Sequence, residues 1–413
     1  MKAYLRTFGC RANQYDTEAV RAMILASGGE IVDTLELADV AVLNSCAVTA
    51  DAEADLRRAV RGAAADRPGL PVIVMGCASA RDDGRIASLP GVQHVIAGAD
   101  LPTIAMALDL DPILAGTRAA VQTGSRALLR IQDGCDEHCT FCATTLARGA
   151  NRSRPEDRLV QEAMALSAEH PEIVITGIHI GSYGTDQGSS LSALMSRLVR
   201  EVPTVRYRLS SLEATEVDDA LAELLADDST RIAPHLHAPL QSGSDRVLKR
   251  MGRHWYSAAT YAAAVGRLAT RLPVFALGAD VITGFPGETA ADHAETVGLV
   301  RSLPFTYLHV FPYSARPGTA AERLGTAVDG RLSRERGAEL RAIGEAKGVA
   351  HSASRAGTAA DVVVIGAAET GARRHGLTED YLSVTLGDAS IPRRARFDAA
   401  LVLRERELVA VRR

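Results

Sequence analysis

The chain contains no apolar run near the roughly 20 residues a helix needs to span a bilayer. Its opening, Met1-Lys-Ala-Tyr-Leu-Arg6, returns to charge too soon for a secretory leader. These absences predict a cytoplasmic protein with no membrane partner. Low-complexity tracts and internal repeats are also missing, and no segment resembles a flavin or nicotinamide site. The net charge of −4 gives no global signature of nucleic-acid binding. Cysteine is scarce, with six in 413 residues. In a reducing compartment those six point to metal or catalysis rather than to disulfides.

None of the six is spare. Cys135, Cys139 and Cys142 spell C-x₃-C-x₂-C, whereas Cys10, Cys46 and Cys77 are singletons, each just after an apolar run that reads as a strand. A tight trio and a dispersed trio suit two metal centres. Thiolates are the usual ligands of iron–sulfur clusters, and three ligands on a four-iron cluster leave one iron open for chemistry. A zinc site usually takes four protein ligands, and neither a fourth cysteine nor a well-placed histidine completes the spacing. Charge is also unevenly placed. Residues 389–413 carry seven arginines against three acids, and Arg148, Arg152 and Arg154 follow the tight trio. Such patches can hold phosphate on an acidic protein; solvated faces are the plainer alternative.

The length allows two or three domains. Strands are predicted at Lys2–Phe8, Ala38–Asn44, Leu70–Met75 and His94–Ala97, with helices at Asn13–Ser27 and Ala50–Ala65 between them. That rhythm predicts an α/β fold with an open parallel sheet over residues 1–115, whose ligands sit at the carboxyl edge of the strands. Cys10, Cys46 and Cys77 all fall on that edge. A second series, Leu128–Gln132, Ile173–Thr176, Tyr207–Ser211, His235–Leu240, Phe275–Thr283 and Tyr307–Phe311, gives six βα units over 126–354. Six units suggest a partial TIM-like (β/α)6 barrel, with a helix from Arg331 to Ser354 after it. Short runs at Ala360–Ile365, Leu382–Thr385 and Ala399–Leu403 make residues 355–413 a small β-barrel-like module. Modules of that size and style bind RNA, although a structural β-domain would read the same way.

Several segments carry a resemblance. They are Thr7-Phe-Gly-Cys10-Arg-Ala-Asn-Gln-Tyr-Asp-Thr-Glu18, Leu43-Asn-Ser-Cys46-Ala-Val-Thr49, Val74-Met-Gly-Cys77 and Arg130-Ile-Gln-Asp-Gly-Cys135 through Cys142. Further on come Ala147-Arg-Gly149 with Arg152-Ser-Arg154, Thr176-Gly-Ile-His179, His235-Leu-His-Ala-Pro-Leu-Gln-Ser-Gly-Ser244 and Asp280-Val-Ile-Thr-Gly-Phe-Pro-Gly-Glu288. In this order they resemble the radical S-adenosylmethionine (SAM) methylthiotransferases over nearly the whole chain.

The resemblance implies a radical SAM barrel and a TRAM-like RNA-binding module after the N-terminal domain. It assigns Cys135, Cys139 and Cys142 to a 4Fe-4S cluster whose open iron binds SAM and cleaves it to a 5′-deoxyadenosyl radical. Cys10, Cys46 and Cys77 would hold a second 4Fe-4S cluster that carries the sulfur. Phe141 would line the adenine of SAM. Gly177, Glu213 and Gln241, each after a barrel strand, would complete its site, with a structural hydrogen-bonding role the alternative for the last two. His179, His235, His237 and His309 read as interior histidines. Arg148, Arg152 and Arg154 would contact RNA phosphates. An external electron donor of the flavodoxin or ferredoxin type and a sulfur source are implied as partners.

The acceptor most resembles that of the threonylcarbamoyladenosine branch, on the tRNA anticodon stem-loop, judged by Asn13–Glu18 and by Glu172–Gly184. The same chemistry on isopentenyladenosine or on a ribosomal-protein aspartate is the alternative, and a non-enzymatic, metal-stabilised RNA-binding protein is a third reading. One departure stands out. Where the family commonly has Ile-Ile-Pro-Tyr after the last cysteine, this chain has Ala143-Thr-Thr-Leu146.

Overall fold

The computed structural model describes all residues except 228, 230, 367–373, 389 and 406. The chain folds into two compact units that do not follow chain order. One comprises Met1–Gln122, Gln132–Arg152 and Ser314–Glu322, and the other Thr123–Ile131, Ser153–Tyr313 and Arg323–Arg413.

The first unit is built on a five-stranded parallel sheet. Its strands are β1 (Lys2–Thr7), β2 (Glu30–Val32), β3 (Val40–Ser45), β4 (Val72–Gly76) and β5 (Val92–Ala97), in the order β2-β1-β3-β4-β5. The apolar runs of β3 and β4 are buried throughout because helices cover both faces. Val40, Val42, Ile73 and Met75 pack with helices α1 (Arg11–Ala26) and α3 (Leu101–Ala107). Ala41, Leu43, Val72 and Val74 face α2 (Ala50–Asp66), whose N-terminus the Thr49 side chain caps. The edge strand β2 escaped the sequence reading because it is three residues long and begins with an exposed glutamate. With β2 outside β1, the strand order reverses between β1 and β3. Ligand crevices open at such a point.

In chain order, β6 (Ala127–Arg130), the two-residue β7 (Gln132–Asp133), helix α4 (Thr144–Arg148) and the two-residue β8 (Arg152–Ser153) follow. The helix α4 and the cysteine loop belong to the first unit. Ala143 is buried in the core that α2 shares with the sheet, so the small residue at this departure from the family pattern fills a packed position.

In the second unit β6 is joined by β9 (Glu172–Thr176), β10 (Arg206–Leu209), β11 (His235–His237), β12 (Ala276–Thr283) and β13 (Tyr307–Pro312). They form two parallel three-stranded sheets, β6-β9-β10 and β11-β12-β13, joined through a bridge between Ser211 and His237. This is the expected partial barrel of six strands. Alternate residues point outward (Leu129, Ile173, Ile175, Tyr207, Leu209, Leu236, Leu277, Val281) and form one apolar core with the surrounding helices. The long helix α11 (Gly330–Ser354) follows where predicted; the helices between the strands are α5 to α10, from Glu156–Ser167 to Ala290–Ser302.

The C-terminal strands β14 (Ala359–Ile365), β15 (His375–Thr378), β16 (Ser383–Leu386), β17 (Arg396–Arg404) and β18 (Glu407–Arg412) close a small TRAM-like barrel in the order β14-β15-β16-β18-β17. Two of its five strands, β15 and β18, were not read from the sequence, since the first is four residues with an internal glycine and the second starts amid charge. Of the arginine-rich tail, Arg406 lies outside the described residues. This module docks on the N-terminal ends of the barrel strands. Arg206 and Arg208, both fully buried, donate to the carbonyl oxygens of Asp361, Leu377, Thr378 and Glu379. Glu172 bridges the two guanidiniums, with Nε–O distances of 2.5 and 2.9 Å. Those arginines hold its carboxyl well below the usual range against the opposing effect of burial.

Candidate active site

Cys46 and Cys77 follow β3 and β4 directly and Cys10 stands three residues after β1, so parallel pairing delivers all three to one edge. Asn13, on the first turn of α1, organises them. Its Nδ2 donates to the carbonyls of Phe8 (3.1 Å) and Ser45 (2.7 Å), the residues just before the Gly9-Cys10 pair and Cys46. Its Oδ1 lies 3.7 Å from Cys10 Sγ and 3.8 Å from Cys77 Sγ. Gly9 has φ +99°, and a Cβ there would lie 2.7 Å from Cys46 Sγ, so only glycine lets the two cysteine segments approach this closely. Burial, together with the neighbouring Cys10 and Cys77, pushes the Cys46 thiol up to about 11. Burial also raises Cys77, an effect that Arg148 opposes.

The second trio lies on the loop between β7 and α4. Gly134 opens it at φ +74°, and a Cβ there would fall 1.9 Å from the Ala150 carbonyl oxygen. The loop is fastened at its base by Cys135 N–H to Gly149 O (3.0 Å) and turns tightly where Cys142 N–H reaches Cys139 O (3.1 Å). Its three cysteines form no disulfide and are half-buried, and Phe141 between the last two is half-buried as well. A short helix after Cys142 ends in Arg148, whose side chain is 2% exposed. Arg148 Nε lies 3.3 Å from Cys77 Sγ, and its Nη atoms reach Asn13 Oδ1 (2.9 Å), Asp16 (2.8 Å) and Asp133 (3.2 Å). A residue on the helix that follows the tight trio therefore touches a sulfur of the dispersed trio.

In the second unit, Gly177, Glu213 and Gln241 stand after the carboxyl ends of β9, β10 and β11. Gln241 adopts φ +63°, a costly conformation for a side chain with a Cβ, and is clamped between Asp280 and Ile282 by main-chain bonds of 2.8 and 2.9 Å. The carboxylate of Glu213 receives Arg253 and the Trp255 indole N–H, and burial raises its affinity for a proton. The inward positions of β11 to β13 form a polar chain. His235 Nε2 and His237 Nδ1 lie 2.8 and 3.1 Å from the Tyr307 hydroxyl, and Asp280 is 3.1 Å from His237 and 3.3 Å from His309. The ligand atoms of His237, Asp280 and His309 sit within 4.8 Å of one another. Sequence reasoning treated these histidines singly, and only the period-two alternation of His235-Leu-His237 hinted at a shared face. His179 is separately paired with Glu216 at 2.5 Å.

Residues 2–98 match the family described as "Uncharacterized protein family UPF0004", and residues 129–300 match the radical SAM superfamily. A threonylcarbamoyladenosine tRNA methylthiotransferase, MtaB, of Bacillus subtilis is 37% identical over 82% of this chain and 79% of that protein. The chain belongs to the radical SAM methylthiotransferase family. A tRNA-2-methylthio-N(6)-dimethylallyladenosine synthase of Sorangium cellulosum is 33% identical over 88% of this chain and 81% of that protein. Among solved structures, the radical SAM methyltransferase TsrM of Kitasatospora setae superposes with a TM-score of 0.55 at 13% identity, covering 84% of this chain and 89% of that one. That likeness supports the fold alone.

As a radical SAM methylthiotransferase the chain has an iron–sulfur and SAM site, and thiols are the donor set such a group takes. The dispersed thiols are free, gathered round one asparagine amide and flanked by a guanidinium. Burial disfavours the Cys46 thiolate unless a bound cation takes its charge, as a metal ligand requires. The basic trio needs correction. Arg148 is buried and fully engaged with Asp16, Asp133, Asn13 and Cys77, so no RNA phosphate can reach it. Arg154 pairs with Glu162 at 2.6 Å and donates to the Arg130 carbonyl. Arg152, 59% exposed, is the member that faces solvent.

Proposed function

We propose that this enzyme is a tRNA methylthiotransferase that converts N6-threonylcarbamoyladenosine beside the anticodon into its 2-methylthio derivative. The observation that carries this reading is the convergence of Cys10, Cys46 and Cys77 around Asn13, in the same compact unit as the loop of Cys135, Cys139 and Cys142. Relatives of 32–37% identity that bear the threonylcarbamoyladenosine name support the acceptor. In this reading Cys135, Cys139 and Cys142 hold the 4Fe-4S cluster that meets SAM, and Cys10, Cys46 and Cys77 hold a second one. When bound, these clusters supply the electron that cleaves SAM and the sulfur that is transferred.

The chain's own residues place the reactants. Phe141 would line the adenine of SAM, and Gly177, lacking a Cβ, would let backbone approach its methionyl end. Glu213 and Gln241 offer polar groups at the strand ends, the latter held in a fixed orientation by its strained backbone. Arg152 and the exposed Arg404, Arg412 and Arg413 of the C-terminal barrel take RNA phosphates. A flavodoxin- or ferredoxin-type protein supplies electrons, and a separate sulfur source reloads the second cluster. No helix among the described residues is long and apolar enough to cross a membrane, in keeping with a cytoplasmic site of action.

Nucleoside mass spectrometry on tRNA from cells lacking the gene, with and without its restoration, tests this reading. Loss and return of the 2-methylthio-threonylcarbamoyl nucleoside alone confirms it. A change in the isopentenyl species instead would favour the second acceptor, to which the 33% identity with the dimethylallyladenosine enzyme points. If tRNA is unchanged, the tRNA reading fails.

A further inference from the structure

Arg148 is over-specified for a structural ion pair. Its guanidinium is held between two carboxylates, each from a different cysteine segment. Asp16 stands six residues after Cys10, and Asp133 two before Cys135. One Nη also meets Asn13 Oδ1, which fixes the plane of the fork and leaves Nε–H directed at Cys77 Sγ, 3.3 Å away. An N–H···S bond to a cluster ligand, reinforced by a buried positive charge, favours the more negative, reduced state of the cluster. Hydrogen bonds to sulfur and local net charge are main determinants of cluster potential. Arginine suits this task because it stays charged and presents several donors in a rigid fork; lysine offers a point charge with no fixed direction.

A second guanidinium lies nearby in the same unit. Arg316, 3% exposed, pairs with Glu53 and adds positive potential at Cys46. Two buried cations therefore act on the dispersed trio, and Arg148 bonds one of its sulfurs.

We infer that Arg148 is a positioning residue for the Cys10–Cys46–Cys77 centre, raising its reduction potential through the bond to the Cys77 sulfur and tying its geometry to the loop of Cys135, Cys139 and Cys142. This rests on the two-cluster reading above. The bond makes the sulfur-carrying centre easier to reduce than the three thiolates alone would leave it. It also makes that centre's potential respond to charge changes at Asp16.

The test uses the full-length chain with Cys135, Cys139 and Cys142 all changed to Ala, reconstituted anaerobically with iron and sulfide. The remaining cluster is titrated by electron paramagnetic resonance against solution potential. In that background Arg148→Lys is expected to lower the midpoint, because the charge stays but the directed N–H···S bond is lost. Asp16→Asn is expected to raise it, because a buried negative charge beside the guanidinium is removed while an oxygen acceptor remains. Shifts of opposite sign, at unchanged iron content, are the signature; a purely structural arginine gives none. Unchanged midpoints in both variants overturn the inference. If Arg148→Lys fails to assemble a cluster, the Asp16→Asn midpoint decides alone. If the triple-alanine chain binds no cluster at all, the two-cluster reading falls first and takes this inference with it.

Discussion

The side-chain amide of Asn13 donates to the main-chain carbonyl of Ser45 at 2.7 Å, joining the helix that begins beside Cys10 to the loop that carries Cys46. The same nitrogen serves the Phe8 carbonyl, so a single buried NH₂ group satisfies two acceptors on two cysteine segments. Asn13→Ala removes a donor from both carbonyls; Ser45 keeps the Cys77 N–H at 3.0 Å, and an unsatisfied Phe8 carbonyl costs about 1–3 kcal/mol. The expected result is loss of the cluster at Cys10, Cys46 and Cys77 with the other retained. Iron and sulfide counts on reconstituted protein should fall from about eight irons per chain to about four, since each cluster is of the four-iron type. Eight irons in the variant would show that Asn13 is dispensable to the centre.

The two trios should separate by function. With Cys142→Ala, SAM cleavage to 5′-deoxyadenosine is expected to disappear, because one thiolate of the SAM-binding cluster is gone. With Cys46→Ala, cleavage should persist while no methylthio product forms. Product analysis by mass spectrometry on a tRNA anticodon stem-loop checks both. Full methylthiolation by the Cys46 variant would contradict the sulfur-carrying role.

Glu172 lies fully buried between Arg206 and Arg208, and both arginines donate to carbonyls of the C-terminal barrel. Glu172→Gln leaves two buried guanidiniums short of their shared counter-charge, and such breakage costs about 3–5 kcal/mol. Its pH dependence has a definite sign. The folded-state carboxyl lies below its unfolded value, so its contribution is fully present above the unfolded pKa and fades as pH falls through the folded one. Chemical denaturation should therefore show a constant gap between wild type and variant near neutrality. The gap should narrow only below about pH 4.3, the ordinary glutamate value. A gap that widens toward acid would reverse the assignment.

Much of this was legible in the sequence because parallel α/β folds write themselves locally. The apolar runs Val40–Leu43 and Val72–Met75 each stop two or three residues short of a cysteine, which announces both the strand and the edge it delivers to. The placement of Arg148 was not legible. Charge next to a cysteine loop reads the same whether it faces solvent or a buried sulfur, and the deciding partners, Asp16 and Cys77, lie 132 and 71 residues away. The ion-paired seat of the C-terminal barrel was hidden for the same reason. Arg206 and Arg208 sit at inward strand positions where a sequence reading expects apolar residues, and they are satisfied by main-chain carbonyls more than 150 residues on.

With Arg148 and Arg154 engaged inside the fold, Arg152 is the test of phosphate binding beside the active-site loop. Its Nη atoms bond the carbonyls of Ala150 and Arg148, and one lies 3.8 Å from the Asp133 carboxylate, which Arg148 shares, while the side chain stays 59% exposed. Each phosphate contact contributes about one unit to the slope of log affinity against log salt, slightly less for single strands. Arg152→Ala should therefore weaken tRNA binding at low salt and flatten that slope by about 0.7–0.9, with iron content unchanged. Arg154→Ala, by contrast, should cost stability through Glu162 and leave the slope intact. Filter binding or fluorescence titration from low to moderate salt distinguishes the two. An unaltered slope in Arg152→Ala would move the phosphate contacts away from this loop and onto Arg404, Arg412 and Arg413 of the C-terminal barrel.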